Sequence, residues 1–332
     1  MGQRIDAVRV ESSARIRVDG RLDESAWEQA PLFDSFVQLF PSEGSAPTER
    51  TELRVLFDER NLYVGVVCHD AQPEFIVRKL GRRDNPPASD DVQVFIDSAH
   101  DHQTAYAFGV NAGGVQFDKL FFADNDSSPT WDALWDVAVH SRADGWSAEF
   151  AIPLHLLRFS DEPTQTWGFA VLRRIARTHE ELSSVYIPRS STGRVSRFGH
   201  LTGVTAPANP RHVELLPYAV ARSGLRPAAL ESGRASSRLL EPSFDLGLDL
   251  QAALTHDLTL NATVNPDFGQ VEADQLILNL TNQEQFFPEK RPFFTQGKGL
   301  FQPVGAEDGL GPQMLFYSRR IGLLTPILAA AK

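Results

Sequence analysis

Asp267, Glu272 and Asp274 crowd residues 264–274, "VNPDFGQVEAD", and Glu284 and Glu289 follow. Two carboxylates standing roughly 5 to 10 Å apart across a cleft act as acid and base in glycoside hydrolysis, so Glu272 and Asp274 are candidate members of such a pair. Asn265-Pro266-Asp267 is also a turn signature, in which Asp267 bonds backbone amides two residues on, and the turn reading is preferred. Asp90, Asp91 and Asp97, and separately Asp124 and Asp126, supply hard oxygen ligands of the kind calcium takes. Their spacing lacks the glycine and distal Glu of an EF-hand loop, which leaves solvated loop acids as the alternative. None of the nine His shows the paired spacing of a zinc site. Trp131 and Trp135, in "SPTWDALWDVAV", could offer stacking faces, although Trp135 precedes a strand and can equally face a core. Trp27, Trp146 and Trp167 read as packing positions. Neither Ser-His-Asp spacing nor a phosphate-cradling glycine loop is present.

The elements that must position these groups are short strands. A chain of 332 residues is long enough for two domains, and its net charge of -11 would repel backbone phosphates, which excludes a nucleic-acid partner. Twenty-two Phe, 23 Gly and 21 Pro against two Met and one Cys suit a turn-rich β protein. The lone Cys68 makes no internal disulfide and sits in an apolar run, where a buried inert thiol is expected. No basic-then-apolar leader precedes Ile5, no apolar run reaches about 18 residues, and "TPILAAAK" ends without a turn, so a fragment is expected.

Strands are expected over residues 53–58, 62–67, 92–97, 105–111, 115–120, 133–140, 146–152 and 168–173, with hairpin spacing that predicts an antiparallel sandwich or jelly roll. In "DESAWEQA" Asp23 can cap a short helix that sets Ala26, Trp27 and Ala30 on one face. Residues 205–212, "TAPANPRH", form a proline-rich joint that separates domains 1–205 and 206–332. Beyond it Phe244, Leu246, Leu248 and Leu250 alternate with Asp245, Gly247, Asp249 and Gln251, and Leu258, Leu260, Ala262 and Val264 alternate with Thr259, Asn261 and Thr263. Arms of about ten residues with that pattern fit a lipid-facing barrel hairpin and equally a half-buried soluble one.

Four stretches in order, "VDGRLDESAW" (18–27), "LRVLFDERNLYVGVVCHD" (53–70), "SDDVQVFIDS" (89–98) and "GWSAEFAIPLHLLRF" (145–159), resemble a family 9 carbohydrate-binding module. Three later ones, "NATVNPDFGQVEAD" (261–274), "FFPEKRPFF" (286–294) and "FYSRRIG" (316–322), resemble the outer-membrane family called domain of unknown function 5916. The combined resemblance implies an all-β chain: an antiparallel, jelly-roll-like sandwich followed by antiparallel hairpins of a truncated outer-membrane β-barrel. It also implies a signal peptide, a periplasmic or surface-exposed module and further barrel residues beyond this chain. Glu289, Lys290 and Arg291 then read as ion pairs between aromatic anchors at the barrel mouth or in its lumen.

Family 9 modules bind sugars or glycan ends, which implies a glycan partner here, with outer-membrane lipid around the barrel part. By this resemblance one wall of an aromatic clamp falls near Tyr186, and polar positions fall at Gln93 and Asn111; Trp131 and Trp135 are the substitute platform. The opposite wall falls close to Pro86-Pro87, where no Trp stands, and Gly109 replaces an Arg that family members offer. The family also implies structural calcium. Three functions follow as expectations: glycan binding linked to carbohydrate catabolism, a glycoside hydrolase using Glu272 or Asp274, and a structural or transport component without sugar binding.

Overall fold

Val92, Val94 and Ile96 alternate with Gln93 and Phe95, and this period of two decides what each strand buries, because successive side chains leave opposite faces of a sheet. The computed structural model describes residues 3–10, 16–128, 131–160, 162–205, 213–226, 239–253, 259–265 and 329–331, and the chain divides into two units, Met1–Pro210 and Arg211–Lys332. The first unit contains β1 (Arg4–Asp6), β2 (Val8–Arg9), β3 (Val37–Phe40), β4 (Thr51–Phe57), β5 (Asn61–His69), β6 (Asp91–Asp97) and β7 (Ala105–Asn111). It continues with β8 (Gln116–Phe122), β9 (Asp126–Ser128), β10 (Asp136–Arg142), β11 (Gly145–Pro153), β12 (Gln165–Ile175), β13 (Glu180–Ser183) and β14 (Gly199–Val204).

Nine of these form one sheet, in the order β1-β14-β12-β6-β7-β8-β9 with β13 on β12 and β3 on β13. The other five form a second sheet, β10-β11-β5-β4-β2. Pairing is antiparallel except at β1–β14 and β2–β4. The main core unites Val92, Val94 and Ile96 of β6 and Trp167, Phe169 and Val171 of β12 with Leu53 and Val55 of β4 and Trp146, Ala148 and Phe150 of β11. The expected antiparallel sandwich is therefore present, with strand ends within a few residues of the sequence reading.

Two buried groups refine that core. Cys68 is fully buried, and burial pushes its thiol up to about 11, so the inert reading holds. Arg173 of β12 points inward and is also fully buried. Its guanidinium donates to Arg50 O at 2.9 Å, Thr51 Oγ1 at 3.0 Å and His69 O at 2.7 Å, all on the facing sheet.

The helix α1 (Ser25–Gln29) covers the outer face of the five-stranded sheet, with Ala26, Trp27 and Ala30 packed against Leu56, Tyr63 and Ala151. Its N-cap is Glu24 rather than the expected Asp23, and no side chain caps it, because the Glu24 carboxylate instead accepts Arg17 N. Glu149 Oε2 pins the segment before the helix by accepting Asp19 N and Gly20 N, each at 2.9 Å.

In the second unit β15 (Val213–Arg226), β16 (Leu239–Ala253), β17 (Thr259–Val264) and β18 (Ala329–Ala331) pair in sequence order. The register sets Leu248 opposite Val264 and Asp249 opposite Thr263. Phe244, Leu246, Leu248 and Val264 are exposed, whereas Thr263 is buried and donates to Asp249 Oδ1 at 2.6 Å. Tyr218 sits opposite Gly247, and its ring fills the space a side chain would need there. Asn265 adopts φ 52° and donates to Leu246 O, in keeping with a turn. Asp267, Glu272, Asp274, Glu284 and the 286–294 segment lie outside the described residues.

Candidate functional site

The outer face of the nine-stranded sheet carries Asp91, Gln93 and Phe95 of β6. Register places Arg174 beside Asp91, Leu172 beside Gln93 and Ala170 beside Phe95. One half of this face is apolar: Phe95, Phe121 and Leu172 pack under Val185, Val195 and Phe198. The Arg194 guanidinium lies 4.9 Å above the Phe95 ring and 5.3 Å from that of Phe121, and burial pulls its pKa down. The other half is polar. Gln93 Nε2 donates to Asp91 Oδ1 at 2.9 Å, and Arg174 bonds Asp91 at 3.3 Å and Glu181 at 3.0 Å. Burial pushes the Asp91 carboxyl up despite Arg174; burial also opposes the Arg174 charge, but Asp91 and Glu181 hold that guanidinium above its usual range. Planar amide, guanidinium and carboxylate groups of this kind recognise hydroxyls when they are left partly exposed.

Tyr186 lies just beyond β13 and is 48% exposed. Its hydroxyl donates to Glu43 Oε1 at 2.8 Å, which raises its pKa and fixes the ring against the loop after β3. Arg189 braces the same loop by donating to Leu39 O and Pro41 O.

The other sequence-derived residues separate. Asn111 shares the Gln93 face, but its side chain is fully buried: Nδ2 donates to Lys79 O and Oδ1 accepts Gly113 N and Val115 N, so the amide builds the β7–β8 turn. Gly109 lies opposite Gln93, and the Phe117 ring occupies the space above it. Trp131 and Trp135 are on the inward side: Trp131 packs on Tyr106 and Phe108, and Trp135 stacks on Phe150. The Trp135 indole N–H donates to Asp118, whose buried carboxyl is pushed up to about 6 by desolvation.

Arg174, Glu181 and Arg194 escaped sequence reading. The β12 alternation puts Arg174 and Leu172 on one face, yet nothing in the sequence gives the β6–β12 register that sets Arg174 beside Asp91. Among the carboxylates considered for calcium, Asp91 meets the Gln93 and Arg174 side chains, and three others accept backbone amides. Asp90 Oδ1 accepts Val77 N and Ala176 N, Asp97 accepts Asp101 N and His102 N, and Asp124 Oδ1 accepts Arg194 N and Ser196 N. A cavity of about 180 Å³ lies on the five-stranded sheet, away from these residues, between Trp27, Glu52, Arg54, His69 and Arg142. Its Arg54 and His69 side chains meet Glu52, His69 at 3.1 Å, and the other His69 ring nitrogen lies 3.0 Å from Asp144.

Residues 18–181 match the family described as carbohydrate family 9 binding domain-like, and residues 210–330 match domain of unknown function DUF5916. No curated protein matches the chain. Among solved structures, a family 9 carbohydrate-binding module from Caldicellulosiruptor kristjanssonii in complex with cellotriose is similar at 15% identity and a TM-score of 0.44, covering 62% of this chain and 96% of its own. The same organism's module in complex with glucose aligns at 16% identity and a TM-score of 0.45, covering 63% and 100%. A candidate carbohydrate-binding protein from Bacteroides uniformis aligns at 12% identity and 0.48, covering 61% and 99%.

Proposed function

We propose, from the premise that residues 18–181 are a carbohydrate family 9-like domain, that the first unit binds glycans on the outer face of its nine-stranded sheet. The observation that carries the reading at residue level is Tyr186, an aromatic ring left nearly half exposed yet held in place by Glu43. A fixed exposed ring stacks on the apolar C–H face of a pyranose at little entropic cost. Gln93, Arg174 and Glu181 supply donors and acceptors for hydroxyls from the polar half of the face. Such a site captures sugars and has no catalytic role of its own, which suits a module that serves carbohydrate catabolism.

The test is titration of the chain with a panel of mono- and oligosaccharides, glucose and cellotriose included, read by isothermal calorimetry. Tyr186→Ala is expected to weaken binding at least tenfold, about 1.4 kcal/mol, with Gln93→Ala smaller in the same direction. Binding that Tyr186→Ala leaves unchanged overturns the site. A blank panel favours a second reading, a structural or transport component without sugar binding. That reading has its own observation, since Phe117 fills the space above Gly109 and Pro86-Pro87 supplies no opposing ring.

The second unit, in this proposal, begins an outer-membrane β-barrel whose lipid face includes Phe244, Leu246, Leu248 and Val264. What supports it is the alternation of exposed Phe244, Leu246 and Leu248 with Asp245 and Asp249 along one long strand, with Val264 exposed on the next. Fractionation of expressing cells tests it: recovery in the outer membrane is expected, and recovery in the soluble fraction overturns it.

A further inference from the structure

Arg174, on the outer face of the nine-stranded sheet, is anchored by Asp91 and Glu181, and Arg189, beside Tyr186, by Leu39 O and Pro41 O. Arg194 has no such anchor. Among the described residues its guanidinium meets no hydrogen-bond acceptor and no carboxylate; it rests instead 4.9 Å from the centroid of the Phe95 ring and 5.3 Å from that of Phe121. The residue is partly buried. Burial, the largest influence, pulls its pKa down against the attraction of Glu181, and Arg174 adds to the fall. A cation taken partly out of water costs free energy until a counter-charge meets it.

The backbone that carries Arg194 is fixed. Asp124 Oδ1 accepts Arg194 N and Ser196 N, each at 2.9 Å, and Asp124 O accepts Val195 N at 3.2 Å. Arg194 and Tyr186 also border one apolar patch, because Val185 and Ile187, on either side of Tyr186, pack into the same cluster as Phe95 and Phe121. Gln93 stands two residues before Phe95 on the same face of β6. The carboxylates nearby are already engaged: Asp91 and Glu181 by Arg174, Glu43 by the Tyr186 hydroxyl and Arg189 N, and Asp124 by backbone amides and the Ser196 hydroxyl. Arg194 is left as a cation without a counter-charge beside the exposed ring.

We propose, resting on the sugar-face reading above, that this face selects acidic glycans, with the Arg194 guanidinium receiving the carboxylate of a uronic acid residue while Tyr186 stacks on a pyranose. A guanidinium matches a carboxylate fork to fork, through two parallel charge-assisted hydrogen bonds. A neutral sugar of the same shape offers hydroxyls alone and leaves the cation without a counter-charge. Because the loop is already held by Asp124, little ordering opposes the contact.

The experiment titrates the full chain by calorimetry at neutral pH with matched pairs: glucose and glucuronate, galactose and galacturonate, galactobiose and digalacturonate. The acidic member of a pair is expected to bind roughly tenfold tighter or more than the neutral one, with the gap narrowing as NaCl is raised. Arg194→Gln should close the gap, Arg194→Lys should keep part of it, and Arg197→Gln should leave it intact. Equal affinity within every pair, a gap that survives Arg194→Gln, or one lost as fully in Arg197→Gln overturns this inference and leaves the sugar face standing. Binding of no sugar at all overturns both. Should Arg194→Gln not fold, the wild-type chain decides: digalacturonate must shift the Arg194 Nε–H resonance, and a resonance that stays put overturns the contact.

Discussion

Both units are built from strands that alternate apolar with polar residues, and they resolve that pattern differently. In β11, Trp146, Ala148 and Phe150 meet a facing sheet and are buried, while Ser147 and Glu149 on the other face meet the segment before α1. In β16, Phe244, Leu246 and Leu248 remain exposed, and the hydrogen-bonded Asp249–Thr263 pair lies on the opposite side. The lesson is that period two fixes which residues share a face and says nothing of what that face touches. A second layer, lipid or solvent can each stand opposite the same pattern.

Replacing one aromatic in each region breaks the comparison most forcefully. Phe150→Ala is expected to destabilise the chain by about 3–5 kcal/mol in urea unfolding, because the cavity lies between two layers, whereas Phe244→Ala changes stability by less than about 0.5 kcal/mol. Equal losses would show that the β16 face is covered. Next in size, Leu246→Arg is expected to leave aqueous stability nearly unchanged and to oppose insertion into phospholipid vesicles by about 2–4 kcal/mol if the residue reaches the bilayer midplane. Vesicle partitioning that ignores the charge removes the lipid-facing assignment.

The smallest effect is one of protons. Burial pushes the Glu149 carboxyl up to about 7, although two backbone amides stabilise its charge. The folded chain therefore keeps a proton that the unfolded chain releases near the ordinary value of 4.5. This contribution to stability is complete below about pH 4.5 and is lost as the pH rises through about 7. Glu149→Gln should consequently unfold at a higher urea concentration, relative to wild type, at pH 8 than at pH 4.5. A gap that does not vary with pH would show that Glu149 titrates as an exposed carboxylate.

Much of the sandwich was legible because its strands bury one face, and the residues that do so announce themselves: Val92-Val94-Ile96, Leu62 to Cys68 and Trp146 to Ile152 all proved to be core strands. Tyr186 was placed by the family resemblance, and its exposure could not be read from the sequence. Arg174 and Glu181 stayed hidden because register across β6, β12 and β13 is a long-range property, set by which inner faces pack together. Asn111 illustrates the converse limit. Its side chain faces the expected direction, yet it is fully buried and bonded to the backbone of Lys79, Gly113 and Val115.

Arg173 has a mechanical corollary. Tension applied to the chain at residue 205 enters along β14, and β14 hands it to β12 through their shared ladder. There a single guanidinium, clasping carbonyls on the other sheet, resists one layer gliding over its neighbour. A pull that would otherwise peel strands one at a time is thereby distributed across both layers at once.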